Sequence, residues 1–243
     1  MATYTTISDE NGDFSVPFSS RYTGGQKIRV TAEKEGATKS IEIYAPSELT
    51  GGVLSFGGSL LDFPMNITSV TIKQLTGSIS NEAFSGLSSP NTFMGKATSL
   101  VIDSPVDIIG FYSFAALPLI KSIQLPQTLL SIDEGAFYSC SSLESLVFPN
   151  SLQTIAQDAF NSCTALLNIT FGTGLTSIGA NAFAYLANAI SVTCLATVPP
   201  VIQSSTFTGI KSTVKYYVPA ASLAAYKAAP IWKTFASKIY AIA

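Results

Sequence analysis

The sequence predicts a mainly β fold with short helices: a right-handed solenoid of about six turns with a 23-residue period. Three observations point to it. Phenylalanines recur at Phe137, Phe160 and Phe183 with spacings of 23 and 23. Apolar residues make up 47% of the 243-residue chain and charged residues only 12%, so most of the surface must be Ser, Thr, Asn and Gly, which suits a regular β-rich stack. Both ends depart from the repeat, with a small antiparallel β module over residues 1–50 and a helical cap over 220–243.

Around Phe160 the repeat reads Leu143, Leu146, Phe148, Pro149, Leu152, Ile155, Phe160, Cys163, and one period earlier Ile120, Ile123, Leu125, Pro126, Leu129, Ile132, Phe137, Cys140. One period later come Leu166, Ile169, Phe171, Gly172, Leu175, Ile178, Phe183 and Leu186; the unit before all these has Ala97, Leu100, Ile102, Asp103, Val106, Ile109, Phe114 and Leu117. Self-similarity at a fixed period is the mark of stacked repeats, none of which buries its apolar edge alone. A degraded unit follows, with Val192 and Cys194 in its strand, one extra residue near Pro199-Pro200, then Ile202 and Phe207; the strand Tyr216-Tyr217-Val218-Pro219 closes the series. Upstream, Val70, Ile72, Ile79 and Phe84 keep the pattern, but Phe84 lies 30 residues before Phe114. About seven inserted residues are placed at 88–96.

Leu-x-x-Leu-x-Phe makes a short strand with inward side chains two apart, and proline ends it because it cannot extend a ladder. The second half of each unit, Ile-x-x-x-Ala-Phe-x-x-Cys, is expected to be a short helix or 3₁₀ turn that sends its phenylalanine into a column of stacked rings. The segments LLSIDEGAFYSCSSLESLVFP and LTSIGANAF resemble the BspA-like leucine-rich repeats of bacterial surface proteins over roughly residues 66–219. The resemblance implies a leucine-rich-repeat solenoid and binding to host matrix or other cells. Pro126 and Pro149 stand where the general leucine-rich pattern has Asn or Cys, which fits the BspA-like subclass.

At the C-terminus, 220–229 is helix-forming with Leu223 and Tyr226 on one face, and Trp232, Phe235 and Ile239 complete an apolar lid. At the N-terminus, 4–7, 14–17, 27–32 and 39–44 are strand-like, with Asn11-Gly12 and Gly24-Gly25 as turns. This stretch resembles the C-terminal half of bacterial immunoglobulin-like modules found on surface and phage tail proteins. It is too short for a full sandwich, so it is expected to dock to a partner, pair with a second copy through residues 1–50, or cap the solenoid. Residues 51–65 are read as linker or N-terminal cap.

Composition excludes much chemistry. Histidine is absent, so a Ser/His/Asp triad cannot be built and the commonest general base and metal ligand is missing. Gly24-Gly25, Gly51-Gly52 and Gly57-Gly58 are turns or linkers rather than phosphate loops. Asp9-x-Asn11-x-Asp13 echoes a calcium loop, but Ser20 stands where an EF-hand needs glutamate; a plain turn is the reading. Asp133, Glu134 and Asp158 are read as solvated charges at helix starts. Cys140, Cys163 and Cys194 are read as buried thiols, although Cys140 and Cys163, at one repeat position, could bridge under oxidation. No enzyme activity, cofactor or metal is expected. With net charge −2 and no run of Lys or Arg, nucleic acid is not an expected partner. No apolar stretch is long enough to span a membrane, and the polar start of this chain carries no leader.

What remains is surface. Strand alternation turns Ser99 and Val101, Ser122 and Gln124, Ser145 and Val147, Asn168 and Thr170, Ser191 and Thr193, and Lys215 and Tyr217 outward, a small, neutral, hydroxyl-rich ladder that could hydrogen-bond protein or glycan. The expected function is a non-catalytic adhesion or recognition module at a cell or particle surface. The rival is a structural bacteriophage protein, a decoration or tail component attached through the N-terminal module to capsid or tail proteins. Either places the chain outside the cell or on a virion.

Overall fold

The computed structural model describes residues 97–242, together with 14–18, 27–34, 37–44, 52–57, 69–73, 77–79 and 84–85. The insertion placed at 88–96, the strand at 4–7, the two N-terminal turns and the Asp9/Asn11/Asp13 loop lie outside them.

In chain order the strands are β1 (Phe14–Phe18), β2 (Lys27–Lys34), β3 (Ala37–Tyr44) and β4 (Gly52–Gly57), then pairs from each repeat: β5 (Ser69–Lys73) and β6 (Gly77–Ile79), β7 (Ser99–Asp103) and β8 (Val106–Ile109), β9 (Ser122–Gln124) and β10 (Ser131–Ile132), β11 (Ser145–Val147) and β12 (Thr154–Ile155), β13 (Asn168–Phe171) and β14 (Ser177–Ile178), β15 (Ser191–Cys194) and β16 (Val201–Ile202). β17 (Lys215–Val218) and β18 (Ile239–Ala241) follow. The first strands of the repeats stack in parallel in the orders β5-β7-β9 and β11-β13-β15-β17-β18. The second strands form their own parallel sheet, β16-β14-β12-β10-β8-β6. This second sheet is built from dipeptides such as Ser131-Ile132 and Thr154-Ile155, too short to show alternation, so the sequence reading missed it.

The third side of each turn is not helical. Around Phe114, Phe137, Phe160 and Phe183 the residues two before and two after the ring adopt left-handed backbone: Tyr112, Gly135, Asp158 and Asn181 before, Ala116, Ser139, Ser162 and Tyr185 after, while Phe207 has Gly209 two after it. A left-handed residue every four positions prevents a right-handed helix. It also aims backbone N–H groups at the next turn. Phe137 donates to the Ala159 carbonyl, Ser139 to Asn161 and Gly135 to Gln157, at 2.8 to 3.0 Å, and the pattern recurs along the stack. Each turn is thus hydrogen-bonded to its neighbour on all three sides. Asp133, Glu134 and Asp158 therefore sit in half-buried turns and not at helix starts; Asp158 accepts hydrogen bonds from Asn161 Nδ2 at 2.7 Å and Gln157 Nε2 at 3.1 Å.

Inside lies the expected aromatic column. Phe84, Phe114, Phe137, Phe160 and Phe183 stack at centroid distances of 5.1 to 5.3 Å and Phe207 follows at 6.0 Å. Cys140 and Cys163 are buried free thiols that donate to the carbonyls of Phe114 and Phe137, one turn back, at 3.3 Å each. Ile123 keeps its expected inward position beside Leu100 and packs against the core, but is only half-buried.

Among the described residues, helix is confined to the C-terminal cap: a 3₁₀ turn Ala220–Ser222, α1 (Leu223–Ala228) and a 3₁₀ helix Trp232–Lys238. The cap closes the stack with polar anchors as well as rings. Trp232 Nε1 donates to the Pro200 carbonyl at 2.7 Å and Tyr226 Oη to Ala196 at 2.8 Å, both side chains fully enclosed. The cap then returns a strand: β18 adds one rung beyond β17, which the sequence reading had taken as the last.

At the other end the N-terminal strands divide. β2 and β3 form an antiparallel hairpin. β1 pairs antiparallel with β4, and β4 antiparallel with β5, so these two strands continue the first solenoid sheet beyond its first repeat. β4 falls within the stretch expected as linker or cap, and Gly52 and Gly57, expected in turns or linkers, are its ends.

Candidate binding face: the outward strand ladder

The first sheet turns one residue column outward at each alternate position. The strand patterns are Leu146 buried between exposed Ser145 and Val147, and Ile169 buried between Asn168 and Thr170. Register makes two columns of them. Ser99 pairs with Ser122 and Val101 with Gln124. After a gap in strand pairing, Ser145, Asn168, Ser191 and Lys215 align in one column and Val147, Thr170, Thr193, Tyr217 and Tyr240 in the other. The spine continues across the gap, where Glu144 N–H donates to the Lys121 carbonyl at 3.1 Å. All twelve residues expected to face outward are exposed or half-buried.

Parallel strands set neighbouring rungs about 4.8 Å apart, close enough for side chains to organise one another. Ser191 Oγ donates to Asn168 Oδ1 at 2.7 Å, fixing that amide's orientation. Large apolar groups also meet solvent: Val147 is 69% exposed, and Leu167 and Ile190, joined by a backbone hydrogen bond of 2.8 Å, are 37% and 59% exposed beside the Asn168 column. At the C-terminal end the character changes. The Lys215 ammonium lies 5.8 Å from the Tyr240 ring centroid, within cation–π range, and the Tyr217 and Tyr240 rings are 6.0 Å apart.

The sequence reading missed Tyr240, Leu167 and Ile190. Lys215-x-Tyr217 and Lys238-x-Tyr240 are 23 residues apart, so the repeat period itself carried the signal for Tyr240, hidden because the cap was read as helix to its end. Leu167 and Ile190 sit immediately before their strands, where alternation alone does not fix direction.

The buried titratable groups of the repeat are structural. Burial pushes the Cys140 thiol up to about 12 and the Cys163 and Cys194 thiols upward as well. Desolvation raises the half-buried Asp133 carboxyl, opposed by its hydrogen bond with Ser131. On the turn side Tyr112 is raised by partial burial and by the nearby Asp158 and Glu134 carboxylates.

Stacked parallel rungs, a phenylalanine column and a returning cap define a leucine-rich-repeat solenoid. The chain belongs to the BspA type leucine rich repeat region family, whose pattern matches residues 89–214 in six copies. Repeats of this kind are typically non-catalytic binding scaffolds. The match begins at residue 89 and leaves the immunoglobulin-like reading of residues 1–50 without support. The chain is similar to the crystal structure of the pneumococcal vaccine antigen PcpA, with 20% identity, TM-score 0.53, and coverage of 73% of this chain and 40% of that one. It is also similar to the leucine rich repeat protein of T. pallidum, at 23% identity over 62% of this chain and 79% of that one, TM-score 0.47. A leucine-rich repeat protein from Bacteroides ovatus aligns at 18% identity over 69% and 58%, TM-score 0.32. No curated protein sequence matches the chain.

Proposed function

We propose that this chain is a non-catalytic recognition module that binds a protein or glycan at a cell or particle surface through its outward strand ladder. The observation that carries the reading is the ladder itself: hydroxyl, amide and scattered apolar side chains held in register on a rigid sheet, with none of their backbone groups needed for the contact. Solenoids bind along such surfaces because each rung is fixed by its neighbours. Membership in a family typical of surface-exposed bacterial proteins supports a surface location.

The test uses the intact chain as bait against host-cell surface extract and against phage structural proteins, beside a variant carrying Thr170→Glu and Thr193→Glu. Both positions are half-buried on the outward face, and far-UV circular dichroism checks that the variant keeps the fold. Capture of a surface component by the native chain and its loss in the variant is the expected result. Capture of a capsid or tail protein that the variant retains would replace this reading with that of a virion component.

A further inference from the structure

The last two rungs of the ladder differ from the rest. Lys215-x-Tyr217 is followed, 23 residues on, by Lys238-x-Tyr240, and the register pairs Tyr217 with Tyr240. Lys238, half-buried at the end of the 3₁₀ helix, immediately precedes β18 and falls in register beside Lys215, one residue before the Tyr216–Ile239 pair. Tyr240 is 44% exposed, with the Lys215 ammonium 5.8 Å from its ring. Two cations and two tyrosine rings thus terminate a neutral ladder of Ser, Asn and Thr.

The surrounding charge is equally uneven. From residue 97 to 158 the chain has Asp103, Asp107, Asp133, Glu134, Glu144 and Asp158 against Lys121 alone. From residue 159 to the end it has no Asp or Glu at all, while Lys211, Lys215, Lys227, Lys233 and Lys238 are all present. The C-terminal end of the solenoid therefore presents positive potential that no carboxylate side chain of its own segment offsets, and such a field favours an anionic partner.

We propose that this end of the ladder, Lys215, Tyr217 and Tyr240 with Lys238 beside them, binds anionic sugars carrying carboxylate or sulfate groups. The inference rests on the ladder being the binding face and names the class of ligand it takes. A pyranose ring has an apolar C–H face that stacks on tyrosine and a rim of hydroxyls that suits the neighbouring Thr193 and the Ser191–Asn168 pair. Rungs about 4.8 Å apart match the rise of one sugar in an extended chain, so consecutive sugars meet consecutive rungs. Two lysines at this end fit a polymer with a charge every second sugar better than a nucleic acid strand with a phosphate at every residue.

The experiment titrates the intact chain with octasaccharides of hyaluronan, polysialic acid and heparin, with neutral chito-octaose, polyglutamate and oligothymidylate as controls. At least one acidic sugar binds and chito-octaose binds at least about tenfold more weakly, with an affinity that falls as salt screens the lysines. Lys215→Gln and Lys238→Gln each weaken binding about fivefold, as for exposed charge pairs. Tyr240→Ala weakens it about threefold or more and Tyr240→Phe retains it, as expected of an exposed ring contact. The proposal is overturned if no acidic sugar binds, if these variants bind as the native chain does, if polyglutamate or oligothymidylate binds as tightly, or if the lysines instead mediate self-association seen by sedimentation. A chain that captures a surface ligand through Thr170 and Thr193 yet binds no acidic sugar overturns this inference alone. Loss of both removes the ladder reading itself.

Discussion

Replacing Phe160 with alanine tests whether the ring column holds the stack together. The ring is fully buried, lies between Phe137 at 5.1 Å and Phe183 at 5.3 Å with near-parallel planes, and receives the edge of Phe148 at 5.3 Å. Truncating a buried phenylalanine costs about 3–5 kcal/mol. Three ring–ring contacts are lost with it, each worth about 0.5–1.5 kcal/mol beyond area. Backbone bonds to the adjacent turns, such as Phe160 N–H to the Ala182 carbonyl at 2.8 Å, hinder collapse into the cavity. The expected loss is therefore at the upper end, about 4–5 kcal/mol. Urea unfolding followed by circular dichroism and by Trp232 fluorescence reads it, the two probes together showing whether the repeats unfold as one unit. A loss below about 1 kcal/mol, or unfolding of the cap alone, would refute the stacked-column account.

Three further outcomes follow from the turns and thiols. Ala116 has φ of +54°, so Ala116→Gly should raise stability by roughly 0.5 kcal/mol, the relief of left-handed strain less the added chain entropy; a loss above about 1 kcal/mol in the same urea assay would contradict it. Gly135 has φ of +61° and a methyl group there would clash with the Tyr112 ring, so Gly135→Ala should cost about 1–3 kcal/mol, less in a Tyr112→Ala background where the ring is gone. The buried thiols should not react with a thiol reagent at pH 8 until the chain unfolds. Their folded pKa values lie above the unfolded one, so the folded state holds the proton more tightly. The thiol contribution to stability should be level below pH 9, the ordinary thiol value, and should fall as pH rises toward the Cys140 value of about 12. Full stability at pH 11 would contradict the burial.

The repeat, the phenylalanine column and the outward columns were legible because each depends on a side-chain period that stacking preserves. The two-residue strands such as Ser131-Ile132 were not, because their pairing is decided by neighbouring turns rather than by their own pattern. The turns at Tyr112 and Ala116, expected as a short helix or 3₁₀ turn, keep turn hydrogen bonds three residues apart but do not become helix, because left-handed backbone at a non-glycine residue leaves no mark in composition. β18 was hidden by the helix-forming run before it, and only the recurrence of Lys-x-Tyr at the repeat spacing betrays it. The stretch holding β4 was expected as linker or N-terminal cap, and its strand character was hidden because Gly52 and Gly57 bound it.

The most direct measurement of the binding face uses the inertness of the native cysteines. Thr170→Cys on the ladder and Gln157→Cys on the turn side each introduce one reachable thiol, and each is coupled to a bulky polyethylene glycol before capture from cell-surface extract is repeated. The ladder label should abolish capture and the turn-side label should leave it intact; the reverse pattern would place the binding surface on the turns and contradict the account.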